Sequence, residues 1–361
     1  MNFCKIDKKN FNIFIAFYLL ATLSLIIYTP LTISEANLIY SNDITISNII
    51  VKFLFKFSHE NYILRLPFFL ISILSIFLLY QYSRDILNKQ EKYFSIFLYL
   101  ATPGVFVSNI IINRATVPIF LSLLFIVAIK KRYRVLQVVS LVLLFFTHTA
   151  LFVFYLAIFL YAYQKKDSLL FVVSFTFLLI SIILEKYTIG GLPRGHLVQL
   201  FGIYAVIFSP FYFLALVYSL YRLAKDRIYD VLWYIVVVSF IISLILSIRQ
   251  KILITDFTPF MVFASPLIVK VFQNSLSVRL PEFRKKYYIL CKIVVIVLLL
   301  ETLFVAFSYP IYKYTGKKPY IIDTTIYKLE KIAQKNHKKC INNISTKYTN
   351  LYKYYKLKVC K

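Results

Sequence analysis

Apolar runs long enough to cross a bilayer recur along almost the whole of this chain. A segment in hydrocarbon must satisfy its own backbone, which only helices and closed barrels do. The runs are continuous rather than alternating, so they predict helices. One crossing takes about 20 apolar residues, with roughly 17–25 tolerated. Eleven runs are legible, at 11–30, 63–83, 93–111, 117–129, 135–148, 149–163, 169–184, 200–221, 230–248, 257–272 and 287–307. The fourth to sixth are short and predict helices that are broken, or tilted and covered by neighbours. The first lacks a small-residue cleavage site and ten more follow, so it is expected to be a retained span. Only 16% of residues are charged, against about 25% in soluble domains, too few for a water-facing surface. The fold class expected is all-α, a polytopic membrane protein with about 11 transmembrane helices. A short N-terminus (1–10) precedes the transmembrane domain (11–307), and a basic tail (308–361) follows it.

The net charge of +27 would suggest nucleic acid in a soluble domain. Here the basic residues cluster between apolar runs, which is the orientation rule for membrane proteins, so no nucleic-acid partner is expected. With the N-terminus inside, the inner loops hold 19 Lys and Arg and the outer loops 7. The tail would be outside despite its 13 lysines, since long segments translocate with less regard to charge. The expected location is a bacterial inner membrane, with the N-terminus cytoplasmic and the tail periplasmic. All four histidines (His59, His148, His196, His337) then fall outside, so any chemistry belongs to the outer face. Cys340 and Cys360 could pair in an oxidising compartment, while Cys4 and Cys291 read as thiols. No metal-ligand spacing occurs, so no protein metal site is predicted.

The first outer loop spans 31–62. Within it, Ile46, Ile49, Ile50, Phe53, Leu54 and Phe57 recur at helical spacing, with Ser47, Asn48, Lys52 and Lys56 off that stripe. This predicts an interfacial helix lying apolar side down. An equally simple reading packs the stripe on neighbouring spans. Before it stands Glu35, a carboxylate at the outer mouth that could act as a base or hold a metal, or could simply be hydrated.

This order of features, with Glu35-Ala36 and Tyr40, Arg65-Leu66-Pro67, Tyr82 with Arg84, and Thr102-Pro103-Gly104, resembles the polyprenyl-phosphate-dependent glycosyltransferases of the GT-C fold. The likeness is to the dolichyl-phosphate-mannose and aminoarabinose transferase type. It covers roughly 10–275 and includes "THTALFVFYLAIFLY" and "RQKILITDFTPFMVFASPLIV". That family usually has Asp-Glu after the first span, where this chain has Ser34-Glu35. It usually has a second acid after the third span, where this chain reads Asn113-Arg114. A second resemblance fits the departure. Arg114, followed two spans later by His148, looks like the EpsG-type and Wzy-type polysaccharide polymerases.

The resemblance implies an integral-membrane glycosyltransferase that moves a sugar from a polyprenyl-phosphate-linked donor to a lipid or glycan acceptor of the cell envelope. The alternatives are a polysaccharide polymerase and a non-enzymatic transporter or flippase of lipid-linked sugar. A transporter should show discontinuous helices with midplane charges. Such a transferase needs a base for the acceptor hydroxyl and cations for the departing phosphate. Glu35 is the expected base, with His148 in support. Arg65, Arg114, Arg194, Arg249 and Lys251 are the candidate phosphate ligands, and the resemblance points hardest at Arg114 and Arg249. For any single one of these arginines, snorkelling to interfacial water is the simpler account. His196 lies in "GGLPRGH", a flexible turn that suits a substrate loop. A divalent cation, if one is used, would rest on Glu35 and the lipid phosphate. Glu301, alone in the eleventh run, reads as a structural partner of another helix.

Overall fold

In a computed structural model, residues 6–43, 45–147, 150–184, 196–315 and 348–356 are described. All regular structure among the described residues is helical. The chain opens with α1 (Lys8–Tyr28), α2 (Ile33–Tyr40), α3 (Ile46–Phe57), α4 (Asn61–Ile86), α5 (Lys89–Ala101) and α6 (Pro103–Ile110). It continues with α7 (Thr116–Lys130), α8 (Arg134–Phe145), α9 (Phe152–Lys165), α10 (Ser168–Leu184), α11 (His196–Phe208) and α12 (Pro210–Lys225). Next come α13 (Val231–Arg249), α14 (Ile254–Phe257), two 3-10 turns (Thr258–Phe260 and Val262–Ala264), α15 (Ser265–Ser277) and α16 (Pro281–Thr315). A last short helix, α17 (Thr349–Tyr354), closes the described chain.

Five segments are long and apolar enough to cross a bilayer, and seven if each of two bent pairs counts as one span. These lengths alone do not give the eleven expected crossings. Helices α7 to α10 have 15, 12, 14 and 17 residues, and at about 1.5 Å per residue each falls short of a ~30 Å hydrocarbon core.

Polar contacts sort the helix ends into two groups. At one end, Asp230 accepts from the Tyr82 hydroxyl at 2.7 Å and pairs with Lys130 at 2.8 Å. Arg134 pairs with Asp167 at 2.5 Å, and Gln90 donates to Asp7 at 3.2 Å. At the other end, Ile46 donates its backbone N–H to the Phe146 carbonyl, and α17 packs back on α2. The first group holds the loops dense in Lys and Arg and is called the basic end below. The second holds α2, α3 and α17 and is called the capped end.

Two helices break in the interior. Between α5 and α6 the axis turns by 67°, and between α11 and α12 by 103°. Each break falls before a proline, which lacks an N–H and disfavours helix in the residue ahead of it. Thr102, before Pro103, is extended, and Ser209, before Pro210, sits at φ 71°. The breaks lie close together, because Gly104 packs directly on Ile207. A β-carbon at Gly104 would overlap the Ile207 Cγ2 methyl, which a stiff β-branched side chain cannot swing away. Gly104→Ala is therefore expected to cost about 1–3 kcal/mol by overpacking. Ile207→Ala in the same chain should recover most of that loss, as read by thermal unfolding in detergent.

Two expectations shift. Helix α16 continues to Thr315, beyond the boundary at 308, and α17, within the tail, packs on α2. Cys291, expected as a thiol, is disulfide-bonded. Cys4, Cys340 and Cys360 lie outside the described residues.

Candidate functional site

Glu35 begins as a local feature. Thr32, Ser34 and Glu35 open α2, and Thr32-x-x-Glu35 is a capping box. The Glu35 Oε2 atom accepts from the Thr32 N–H at 2.8 Å and from its hydroxyl at 2.9 Å. Arg65, on the first turns of α4, then closes on the same carboxylate. Its Nε donates to Oε1 and its Nη2 to Oε2, each at 2.7 Å. The Ile112 N–H, just beyond α6, donates to Oε1 at 2.9 Å.

The rest of the Arg65 guanidinium caps the end of α1. Its Nη1 donates to the carbonyls of Ile26 and Thr29 and to the Thr29 hydroxyl, at 3.0, 2.8 and 2.7 Å. Its Nη2 also donates to the Pro30 carbonyl at 2.9 Å. These carbonyls would otherwise lack donors at a helix C-terminus, where a cation is also favoured by the dipole. Glu35 and Arg65 are 0% and 1% exposed. Four chain segments thus meet on one ion pair with its polar atoms satisfied, the condition for a stable buried charge pair.

This corrects two expectations. Burial alone would push the Glu35 carboxyl up, but the Arg65 charge and the hydrogen bonds from Arg65, Thr32 and Ile112 hold it below the ordinary carboxylate value. A carboxylate so held is a fixed anion, not a base open to an acceptor hydroxyl. Arg65 is likewise committed to protein acceptors rather than to a phosphate.

Helix α17 lies over this clamp. Asn350 donates to Asn37 at 2.9 Å, and the Lys353 ammonium stands 4.5 Å from the centre of the Tyr40 ring. Tyr354 donates to the His59 carbonyl and to Asn61 Oδ1. Burial first, then the nearby Glu35 charge, pushes the Tyr354 hydroxyl up to about 12, so it stays a donor.

A second ion pair at this end is open. Arg114 meets Asp43 through Nη2 and Oδ2 at 2.7 Å, with 34% and 56% of their side chains exposed. Both partners are placed by the buried parts of the loop. Arg114 follows Ile112 by two residues, and Asp43 is held through its carbonyl by Asn48 Nδ2 at 3.0 Å. Asn48 also donates to Ser41 at 2.7 Å, and Thr45 caps α3. On α3 the polar Ser47 and Asn48 are buried, while Ile49, Phe53 and Phe57 are exposed, Phe57 at 75%. The helix therefore turns part of its apolar stripe outward, while Ile46, Ile50 and Leu54 of the same stripe pack against the core.

The other candidates are not gathered with this pair by any described contact. Arg249 ends α13 and Lys251 follows it, both exposed at the capped end. His196 opens α11, with its Nδ1 3.4 Å from Gln199 Oε1. His148 and Arg194 lie outside the described residues. Among the described residues no group of His, Cys, Asp and Glu is arranged to hold a metal ion.

The interior also holds the acid that the sequence reads as a structural partner of another helix. Glu301, on α16, lies against Ser209 at the α11–α12 break. Its neighbour Thr302 donates to the Ala101 carbonyl, which the α5–α6 break frees. A membrane carboxylate where two broken helices meet is a functional suspect. Thr102-Pro103 and Ser209-Pro210 mark the two breaks in the sequence, but Thr258-Pro259 and Ser265-Pro266 in another run look alike. Comparison with protein-family models, with curated proteins and with solved structures finds no match to this chain.

Proposed function

We propose that this chain is an integral-membrane glycosyltransferase that works at the capped end on a polyprenyl-phosphate-linked sugar. The observation that carries this reading is the open Asp43–Arg114 pair, held at the start of α3 by Asn48. In this reading α7 to α10 complete eleven crossings as short helices shielded by neighbours, in a GT-C-like arrangement. The capped end faces the periplasm, as the bias of basic loops favours. The lipid phosphate displaces Asp43 from the Arg114 guanidinium, which is suited to bidentate phosphate binding. The freed Asp43 carboxylate takes the acceptor hydroxyl proton. The acceptor oxygen forms a bond to the sugar anomeric carbon, and the bond from that carbon to the phosphate oxygen breaks. The lipid phosphate leaves with the bonding electron pair. Glu35 and Arg65 act only as the rigid mount.

The test is a reconstituted one. Purified chain in vesicles with polyprenyl-phosphate-linked sugars and an envelope glycan acceptor should release polyprenyl phosphate, and Asp43→Asn should abolish that release. Release unchanged in Asp43→Asn would overturn the assignment.

One observation favours a second reading, a carrier of lipid-linked sugar. It is the meeting of both helix breaks at Glu301. A carrier would move the labelled lipid across the vesicle without releasing polyprenyl phosphate, and Glu301→Gln would stop it.

A further inference from the structure

An apolar recess shares no lining residue with the Glu35 clamp. It is a cavity of about 310 Å³ between α5, α12, α15 and α16, walled by Leu98, Phe211, Tyr212, Phe272, Leu290 and Val294. That volume equals roughly ten waters at ~30 Å³ each, room for one alkyl chain. Its walls belong to helices read as crossing the bilayer, so its natural filling is hydrocarbon.

The cavity continues into a polar recess at the basic end, and Tyr218, Val271 and Ser275 line both. The recess holds Arg222, Arg279 and Asp226, a net charge of one positive. Asp226 is taken by Arg222 at 3.2 Å. Arg279 has no carboxylate partner among the described residues, and its guanidinium lies 3.8 Å over the ring of Tyr287, which also walls the cavity. A second recess beside it shares Asn274 and Ser277 and adds Lys270 and Arg284 against Glu91, again one net positive charge. Arg284 donates to the Arg279 carbonyl at 2.8 Å, which steadies the turn between α15 and α16.

An apolar slot for one chain, opening at headgroup depth on paired cationic recesses, is complementary to one class of molecule. We propose that this cavity binds an anionic phospholipid, with one acyl chain between α12 and α16 and the phosphodiester at Arg279, in the recess that shares the cavity's lining. The phosphodiester carries a single negative charge, and its hydrogen-bonding oxygens suit a guanidinium. A zwitterionic lipid brings a choline or ethanolamine cation into the same positive field and is disfavoured. The site is independent of the sugar-transfer reading, because it lies at the opposite end of the bundle.

The experiment is native mass spectrometry of the full chain released from mixed micelles holding equal dioleoyl-phosphatidylglycerol and dioleoyl-phosphatidylcholine. The wild type should retain one phosphatidylglycerol per chain, at least tenfold over phosphatidylcholine. Arg279→Gln should bring that ratio to about one, with unfolding temperature as the control for folding. Ala215→Trp, which fills the slot from α12, should lower retention of both lipids. Equal retention of the two lipids by the wild type would overturn the proposal. So would an unchanged ratio in Arg279→Gln, or displacement of phosphatidylglycerol by polyprenyl phosphate at equal concentration.

Discussion

Arg65→Met is expected to be the most damaging single substitution in this chain. It leaves Glu35 buried at 0% exposure without its counter-ion and strips four hydrogen bonds from the end of α1. Removing one partner of a buried ion pair costs about 3–5 kcal/mol. The loss should appear as a large fall in unfolding temperature in detergent and as poor accumulation in membranes. Glu35→Gln should be milder but in the same direction, because an amide keeps the shape while leaving Arg65 without an anion. If Glu35→Gln removes sugar transfer, the unfolding temperature should fall with it. Lost activity at unchanged stability would return Glu35 to the chemistry and sink the mounting role.

The same clamp predicts an acid limit. The folded carboxyl of Glu35 sits below its ordinary value of 4.5, despite a desolvation that opposes this, because Arg65, Thr32 and Ile112 favour the anion. A group whose pKa is depressed by folding contributes stability that is fully present above the unfolded value. That stability is lost as the pH falls through the folded one. Stability should therefore show no contribution from Glu35 titration near pH 7 and should decline below about 4.5. Arg65→Met should flatten that acid limb, since the anion is no longer favoured.

Glu35 and Arg65 were both legible as unusual, yet their union was not. Thirty residues separate them, and no local periodicity brings α2 to the first turns of α4. The capping box Thr32-x-x-Glu35 was readable, and it says that this acid serves its own helix first. The α3 stripe was legible as a period, but a period does not say which face is buried; here Ser47 and Asn48 face inward and Phe53 and Phe57 outward. All-helical architecture followed from the apolar runs, because lipid leaves the backbone few other solutions. The run lengths hid the breaks at Thr102 and Ser209, since hydropathy is blind to a bend at a Ser/Thr-Pro pair. The Arg114–Asp43 pair joins residues 71 apart, and only the folded loop brings them to 2.7 Å.

That pair gives the second large effect, and it acts on activity rather than stability. An exposed ion pair contributes roughly 0–1 kcal/mol, so Arg114→Ala and Asp43→Asn should leave the unfolding temperature nearly unchanged. A cation at the departing phosphate stabilises charge that develops only in the transition state. Loss of one such group costs on the order of 10²–10³ in rate. Arg114→Ala should therefore cut polyprenyl phosphate release about a hundredfold or more. Arg114→Lys should recover only part, because an ammonium lacks the planar fork. The double variant should be scarcely slower than the slower single variant, since base and phosphate cation serve one step and their effects are not additive. Effects that multiply would show that Asp43 and Arg114 act in separate steps. Rates near wild type in all three would remove this pair from the reaction and leave the Glu301 crossing as the site to pursue.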